Sequence, residues 1–201
     1  MRTGRLEAFS DGVLAIIITI MVLEFHVPAE PTWHGLAEVF PTFSSYLLSF
    51  IYVGIYWNNH HHLMQLSATV TGGILWANLH LLFWLSLIPF FTRWMDESGF
   101  ALVPVLVYGL NLLLAAVAFS ILQYALLRRE GPDSPLAAAL GRNTKGRISP
   151  LIYVAGCALT FVHPLAGVAA YAGAAALWLI PNRRMEALVG SAGGSGGGAE
   201  S

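Results

Sequence analysis

Six stretches of mostly apolar residues divide the chain, and each is long enough, or nearly so, to cross a lipid bilayer. A spanning helix needs about 20 residues of this kind. The stretches cover residues 8–27, 42–57, 73–91, 100–127, 148–162 and 165–180. The last two are separated only by His163 and Pro164, so they form either a tight helical hairpin or one long kinked span. The pattern predicts an all-α integral membrane protein with six transmembrane helices.

Proline residues mark the ends of these stretches. Pro28 follows the first, Pro41 begins the second and Pro181 closes the sixth. Proline punctuates helices in this way because its ring fixes the backbone and removes an N–H donor. After one transmembrane domain of residues 1–189, residues 190–201 are mostly Gly, Ser and Ala. This composition predicts a flexible tail.

The composition agrees with a bilayer environment. Only 10% of the 201 residues are charged and 56% are hydrophobic, whereas a soluble domain carries about 25% charged residues. The formal net charge of -1 gives no general attraction to nucleic acid. The single cysteine, Cys157, excludes a disulfide within the chain. The N-terminal stretch lacks a signal-peptide cleavage site and is interrupted by Asp11 and Glu24, so we expect it to remain as the first helix.

The basic residues concentrate on one side of the predicted spans. If the spans alternate in direction, Arg93 alone falls on the side opposite the N-terminus. The other nine basic residues are Arg2, Arg5, Arg128, Arg129, Arg142, Lys145, Arg147, Arg183 and Arg184. Because positively charged loops stay in the cytoplasm, both termini are predicted to be cytoplasmic. Only an even number of spans permits this arrangement.

The first span combines a polar start with an apolar stripe. An ionisable residue in a bilayer costs about 2.5–3.5 kcal/mol, so Asp11 needs a partner or a function. At about 100° per residue, one stripe of the helix carries Gly12, Ile16, Thr19, Ile20, Leu23 and Val27. Asp11 points about 140° away from Ile16. The stripe either faces lipid, with the Thr19 hydroxyl bonded to its own backbone, or forms a hydrophobic pore constriction where several copies meet.

The start of this helix resembles the transmembrane protein 175 family, the endosomal and lysosomal potassium channels and their bacterial relatives. Three groups of residues carry the resemblance. They are Arg5-x-x-x-Phe9-Ser10-Asp11 with Ala15-Ile16-x-x-Thr19-Ile20, then Ser49-Phe50 with Trp57-x-x-His60, then Asn78 with Pro89-Phe90-x-Thr92. They cover about the first 92 residues, and the remainder is similar only in hydropathy and span count.

The resemblance implies a channel that prefers potassium. Because the chain holds one six-helix repeat, as the bacterial members of the family do, the resemblance also implies a homotetramer. Four first helices would line a central pore, with lipid around the assembly. Ile16 would form the constriction, Leu23 a second apolar ring and Thr19 a hydroxyl ring that favours potassium. Gly12, Ile20 and Val27 would line the rest of the pore. Ala15 stands where some animal repeats have serine, so one polar layer is missing.

The resemblance also implies a buried polar network at the cytoplasmic ends of the helices. Its members would be Arg5, Phe9, Ser10, Asp11, Trp57, His60 and Asn78. No metal site is expected, since adjacent residues of a helix point about 100° apart and His60-His61-His62 cannot bind one ion together. Potassium would be the permeant ion, with no cofactor and no nucleic-acid partner, in the plasma membrane of a prokaryote.

Two alternatives stay open from the residues alone. A carrier or small-molecule transporter would use Asp11, Ser10, His60 and Asn78 as a binding pocket inside each protomer. Glu24, about 80° from Ile16 on the first helix, either concentrates cations at a pore mouth or is a solvated end residue. An enzyme is not expected, because the chain carries no nucleophile, metal or phosphate-binding motif.

Overall fold

The computed structural model describes residues 3–141 and 144–179, apart from the side chains of Thr144 and Arg147. In these two ranges the backbone forms nine helices: α1 Thr3–Leu23, α2 Trp33–Glu38, α3 Phe40–Gln65, α4 Gly72–Ser86, α5 Ile88–Glu97, α6 Leu102–Glu130, α7 Pro135–Leu140, α8 Thr144–Thr160 and α9 Pro164–Leu179. Some residues used in the predictions lie outside the described residues: Arg2, Arg142, Pro181, Arg183, Arg184 and the tail 190–201.

Each of the six predicted apolar stretches is helical over most of its described length. Among the described residues, three helical stretches are long and apolar enough to cross a membrane: Thr3–Leu23, Gly72–Glu97 and Leu102–Glu130. Two shorter apolar helices, Ile148–Thr160 and Pro164–Leu179, follow. Helix α3 has 26 residues and ends in a polar Asn and His run. The protein is therefore an all-helical protein with several membrane-spanning candidates, and the number six stays a prediction.

The helix breaks have local causes. Helices α4 and α5 are separated only at Leu87, because Pro89 has no N–H to donate to the carbonyl four residues earlier. Helices α8 and α9 form two separate helices that turn at residues 161–163, where the Val162 and His163 N–H groups donate to the Leu159 carbonyl. Of the two arrangements that the sequence allowed here, the structure has the helical hairpin.

Polar contacts show that consecutive long helices run antiparallel. At one end, Thr3 of α1 donates to the Ser67 carbonyl after α3 at 2.8 Å. At the same end, the Ala68 N–H donates to Glu130 at the end of α6 at 2.9 Å. At the opposite end, Ser45 near the start of α3 donates to Asp96 near the end of α5 at 3.4 Å. Helices α1, α3, α4–α5 and α6 therefore alternate in direction.

Helix α1 joins the bundle through a narrow seam. Its buried residues are Thr3, Leu6, Ser10, Leu14, Ile17 and Met21. This spacing of three and four residues places them on one face of the helix. Helix α1 packs with this face against α3, α4 and α5. The opposite face remains uncovered, although it carries the large apolar residues Ile16, Ile20 and Leu23.

The hairpin α8–α9 is fastened by Tyr171, which is completely buried. Its ring fits against two glycines, Gly109 of α6 and Gly156 of α8, where any Cβ atom would overlap it. Its backbone carbonyl accepts a hydrogen bond from the Tyr52 hydroxyl of α3 at 2.6 Å. Tyr171 thus connects four helices through its side chain and its backbone, because small residues let the helices approach closely.

We expect Gly109→Ala to destabilise the protein, because its new methyl group would overlap the Tyr171 hydroxyl and ring. Overpacking of this kind costs about 1–3 kcal/mol. Thermal unfolding in detergent would measure the loss. Gly173→Ala is the matched control, since its Cβ atom would meet nothing within 4 Å. Equal melting temperatures for the two variants would contradict this account of the helix contact.

Candidate pore helix and its polar anchor

The uncovered face of α1 carries most of the residues predicted to line a pore. Ile16 is 59% exposed and Leu23 is 81% exposed, and Gly12, Thr19 and Ile20 are exposed with them. The Thr19 hydroxyl donates to the Ile16 carbonyl at 2.9 Å. This bond uses the hydroxyl proton, so the lone pairs of the oxygen remain available to a cation.

Val27 does not continue this stripe. Helix α1 ends at Leu23, and Val27 lies four residues beyond it in non-helical backbone. Pro28 gives the reason, since a residue before proline is pushed away from the helical conformation. The predicted first span of residues 8–27 therefore ends one turn early. Val27 belongs to the connection that leads to α2.

A chain of buried hydrogen bonds fixes the N-terminal half of α1. The Ser10 hydroxyl donates to the Leu6 carbonyl at 2.9 Å and accepts from the Asn78 amide at 2.9 Å. The Asn78 carbonyl oxygen then faces His60 Nε2 at 2.7 Å. This direction requires the His60 proton to be on Nε2. The chain links α1, α4 and α3 through side chains that are all at most 1% exposed.

Two further polar contacts join α1 to α3 beside this chain. Trp57 Nε1 donates to Asp11 at 3.1 Å, and His61 Nδ1 lies 2.7 Å from Glu7. The Trp57 and His61 rings stack with an interplanar angle of 19°. Glu7 and His61 were missed as site residues by sequence reasoning. The signal was present, because Glu7 and Asp11 are four residues apart on α1, as Trp57 and His61 are on α3.

Arg5 and Phe9 are not brought into this network. Phe9 is 52% exposed, and Arg5 is exposed with no hydrogen bond or ion pair to any described residue. At about 100° per residue, both lie within about 20° of the direction of Ile16, on the uncovered face. Of the seven predicted members, five make polar contacts within the protomer, in two separate sets. Ser10, Asn78 and His60 form one chain, and Asp11 and Trp57 form a pair beside it.

The three adjacent histidines point to different surroundings. His60 is buried against Asn78, whereas His61 faces Glu7. Across residues 3–141 and 144–179, no group of three His, Cys, Asp or Glu side chains is close enough to hold a metal ion.

Two buried side-chain polar groups lack a hydrogen-bond partner in the same ranges, Nδ1 of His60 and the side-chain amide of Asn111.

An open crevice runs along the uncovered face of α1. It is bounded by Ile16, Ile20 and Glu24 on α1 and just beyond it, and by Phe90 and Arg93 on α5. A separate cavity lies among α3, α6, α8 and α9. Its lining includes Tyr52, Tyr56, Phe119, Tyr153 and Trp178 but neither Asp11 nor His60.

The sequence that forms α1 and its polar contacts matches a known family. The sequence model of the endosomal/lysosomal potassium channel TMEM175 matches residues 5–89. A potassium channel of Chryseobacterium sp. (strain P1-3) is 53% identical over 186 residues, which are 92% of this chain and 97% of that protein. This chain belongs to the TMEM175 family. The resemblance seen in the three sequence motifs is confirmed.

Other relatives of this TMEM175 family member extend the likeness to the fold. A potassium channel of Streptomyces collinus is 35% identical over 134 residues, covering 63% of this chain and 65% of that one. The crystal structure of a lysosomal potassium-selective channel TMEM175 homolog from Chamaesiphon minutus superposes with a TM-score of 0.77. It has 30% sequence identity and covers 89% of this chain and 96% of that chain. The predicted multi-pass membrane protein of prokaryotic type is confirmed.

We expect Asn78→Ala to destabilise this TMEM175 family member by about 1–3 kcal/mol, because it leaves the buried His60 N–H without an acceptor. Unfolding in detergent, followed by tryptophan fluorescence, would measure the change. Asn58→Ala is the control, since Asn58 is an exposed residue of α3. A stability equal to that of the control would show that the Ser10–Asn78–His60 chain does not anchor α1.

Proposed function

We propose that this chain forms a potassium-preferring cation channel in the plasma membrane of a prokaryote. The single observation that carries the proposal is the apolar, uncovered face of α1, which lies opposite a buried seam and directly follows the family motif. The bacterial relatives are named potassium channels, and the solved homologue is described as potassium-selective. The family is one of channels, which confirms that the chain is not an enzyme.

The proposed assembly is a homotetramer in which four copies of α1 surround a central axis. Each protomer would contribute six spans with both termini in the cytoplasm and would contact lipid on its outside. The uncovered face of α1 supports this arrangement. Its bulky side chains Ile16, Ile20 and Leu23 are exposed in the single protomer, whereas the residues of the opposite seam are buried. In the tetramer, the α1 helices of the other subunits would cover this face.

Two apolar rings would control permeation. Ile16 and Leu23 are seven residues apart, which puts them about 10 Å apart along the helix and within about 20° of the same direction. A narrow ring of such side chains excludes water and so raises the cost of passing an ion. Thr19 lies between them with its hydroxyl oxygen free to accept. Potassium, which is more weakly hydrated than sodium, would lose its water there at lower cost.

The polar anchor would serve this pore indirectly. Ser10, bonded to Asn78, fixes the rotation of α1 about its own axis, and Asp11, bonded to Trp57, fixes its distance from α3. A helix held in this way presents the same face to the axis in every subunit. We therefore assign Ser10, Asp11, Trp57, His60 and Asn78 to support of the pore, and no cofactor is needed.

The alternative function, a carrier with a site inside each protomer, has less support. The cavity among α3, α6, α8 and α9 lacks Asp11 and His60. His60 and Asn78 are buried and bonded to each other, so the atoms that join them are already engaged. A monomer in detergent that still transports its substrate would favour the carrier.

Substitutions in the rings should change potassium flux. We expect Ile16→Asn and Leu23→Ala to raise the flux from liposomes several-fold, because a polar or smaller ring admits water more easily. A fluorescence assay with potassium-loaded liposomes would measure it. Val22→Ala is the control, since Val22 is exposed but points about 120° away from Ile16. Absence of flux in the unmodified protein, or equal flux in all variants, would contradict the pore assignment.

Cysteine cross-linking should reveal the axis. With Cys157 replaced by serine, Ile16→Cys should give disulfide-linked subunits on oxidation, because equivalent residues meet at the constriction. Ile17→Cys is the control, since Ile17 is only 4% exposed within the protomer. Denaturing gels would show the linked species, and chromatography with light scattering would give the subunit count. A monomer, or equal linking at both positions, would rule out α1 at the axis.

A further inference from the structure

A bridged pair of carboxylates lies at the far end of α1. Arg93 of α5 binds Glu24, just after α1, through Nη1, and it binds Glu97 through Nε at 2.8 Å. All three side chains remain partly exposed, between 32% and 53%. Arg93 and Glu24 also bound the crevice that runs beside Ile16 and Ile20. The group therefore lies where the uncovered face of α1 reaches the end of the bundle.

The charges of this end are otherwise all negative. The acidic residues in the connections at this end are Glu24, Glu30, Glu38, Asp96 and Glu97, and Arg93 is the one lysine or arginine among the described residues there. Asp96 shares a second crevice with the bridged group. The guanidinium thus neutralises one of the two carboxylates that it contacts. The group of three carries a net charge of one negative per protomer.

We propose that Arg93 sets the electrostatic potential at the outer pore entrance and thereby the rate at which cations enter. This inference rests on the proposed channel function. Negative charge around a narrow entrance raises the local concentration of cations and their rate of arrival. Arg93 holds this attraction below the level that Glu24 and Glu97 would produce alone. Arg93 acts through these carboxylates and touches no ion itself.

The dependence of the current on salt concentration distinguishes this electrostatic role from a mechanical one. The Debye length is about 30 Å at 0.01 M salt and about 3 Å at 1 M. A change in entrance charge therefore alters ion entry at low salt and has little effect at high salt. If Arg93 only clamps α1 to α5, its removal would alter the current equally at both salt concentrations.

Single-channel recording of the full-length protein in planar bilayers tests the proposal with potassium chloride at 10 mM and at 1 M on the outer side. We expect Arg93→Gln to increase the inward current at 10 mM by at least about twofold and to leave it unchanged at 1 M. Glu97→Gln should decrease the current at 10 mM, because it leaves the remaining pair neutral. Arg93→Lys keeps the charge and should behave like the unmodified protein.

Asp133→Asn is the control, since it removes an exposed carboxylate from the opposite end of the bundle. Equal currents in Arg93→Gln and Glu97→Gln, or changes that persist at 1 M, would overturn the proposal. If Arg93→Gln does not assemble, the opposite-sign prediction for Glu97→Gln decides alone. A silent unmodified protein would instead overturn the channel function, so the two failures are distinguishable.

Discussion

The hydrogen-bond chain from Ser10 through Asn78 to His60 is the constraint on which the placement of α1 depends. A hydroxyl, amide or imidazole that is buried away from water costs about 2–7 kcal/mol unless it is hydrogen-bonded. The hydrogen bond between Ser10 and Asn78 holds α1 in its present rotation about the helix axis. That rotation buries Leu14 and Ile17 and leaves Ile16 uncovered. The polar start of the helix thus decides which apolar side chains remain outside.

The attachments of α1 are unequal along its length. Its root is held by hydrogen bonds to α3 and α4, and its far end is held by the ion pair of Glu24 with Arg93. Between these ends the seam consists of Leu14, Ile17 and Met21, which pack without directional bonds. The proposed constriction lies opposite this apolar middle part. The polar groups that hold α1 lie at its two ends, where hydrogen bonds are available to them. In the centre of the helix, Thr19 is the only residue with a polar side chain.

The C-terminal half of the chain supports this arrangement without contributing to the proposed pore. The hairpin α8–α9 packs on α6, and Tyr171 fills the space left by Gly109 and Gly156. The recognisable motifs end near residue 92, yet the Chryseobacterium relative is 53% identical over 92% of the chain. The relationship therefore extends into the second half of the chain, beyond the residues that carry the motifs.

The sequence by itself determined membrane residence, the positions of the apolar helices, their breaks at proline and, through three short motifs, the family. It could do so because hydropathy, helix length and proline chemistry are local properties. Only the tertiary structure decided that Arg5 and Phe9 lie on the uncovered face, that Val27 has left the helix, and that Glu7 meets His61. It alone placed Arg93 between Glu24 and Glu97. Helical periodicity gives the angle between two residues of one helix, but contacts with neighbouring helices decide which side of the helix faces the rest of the protein.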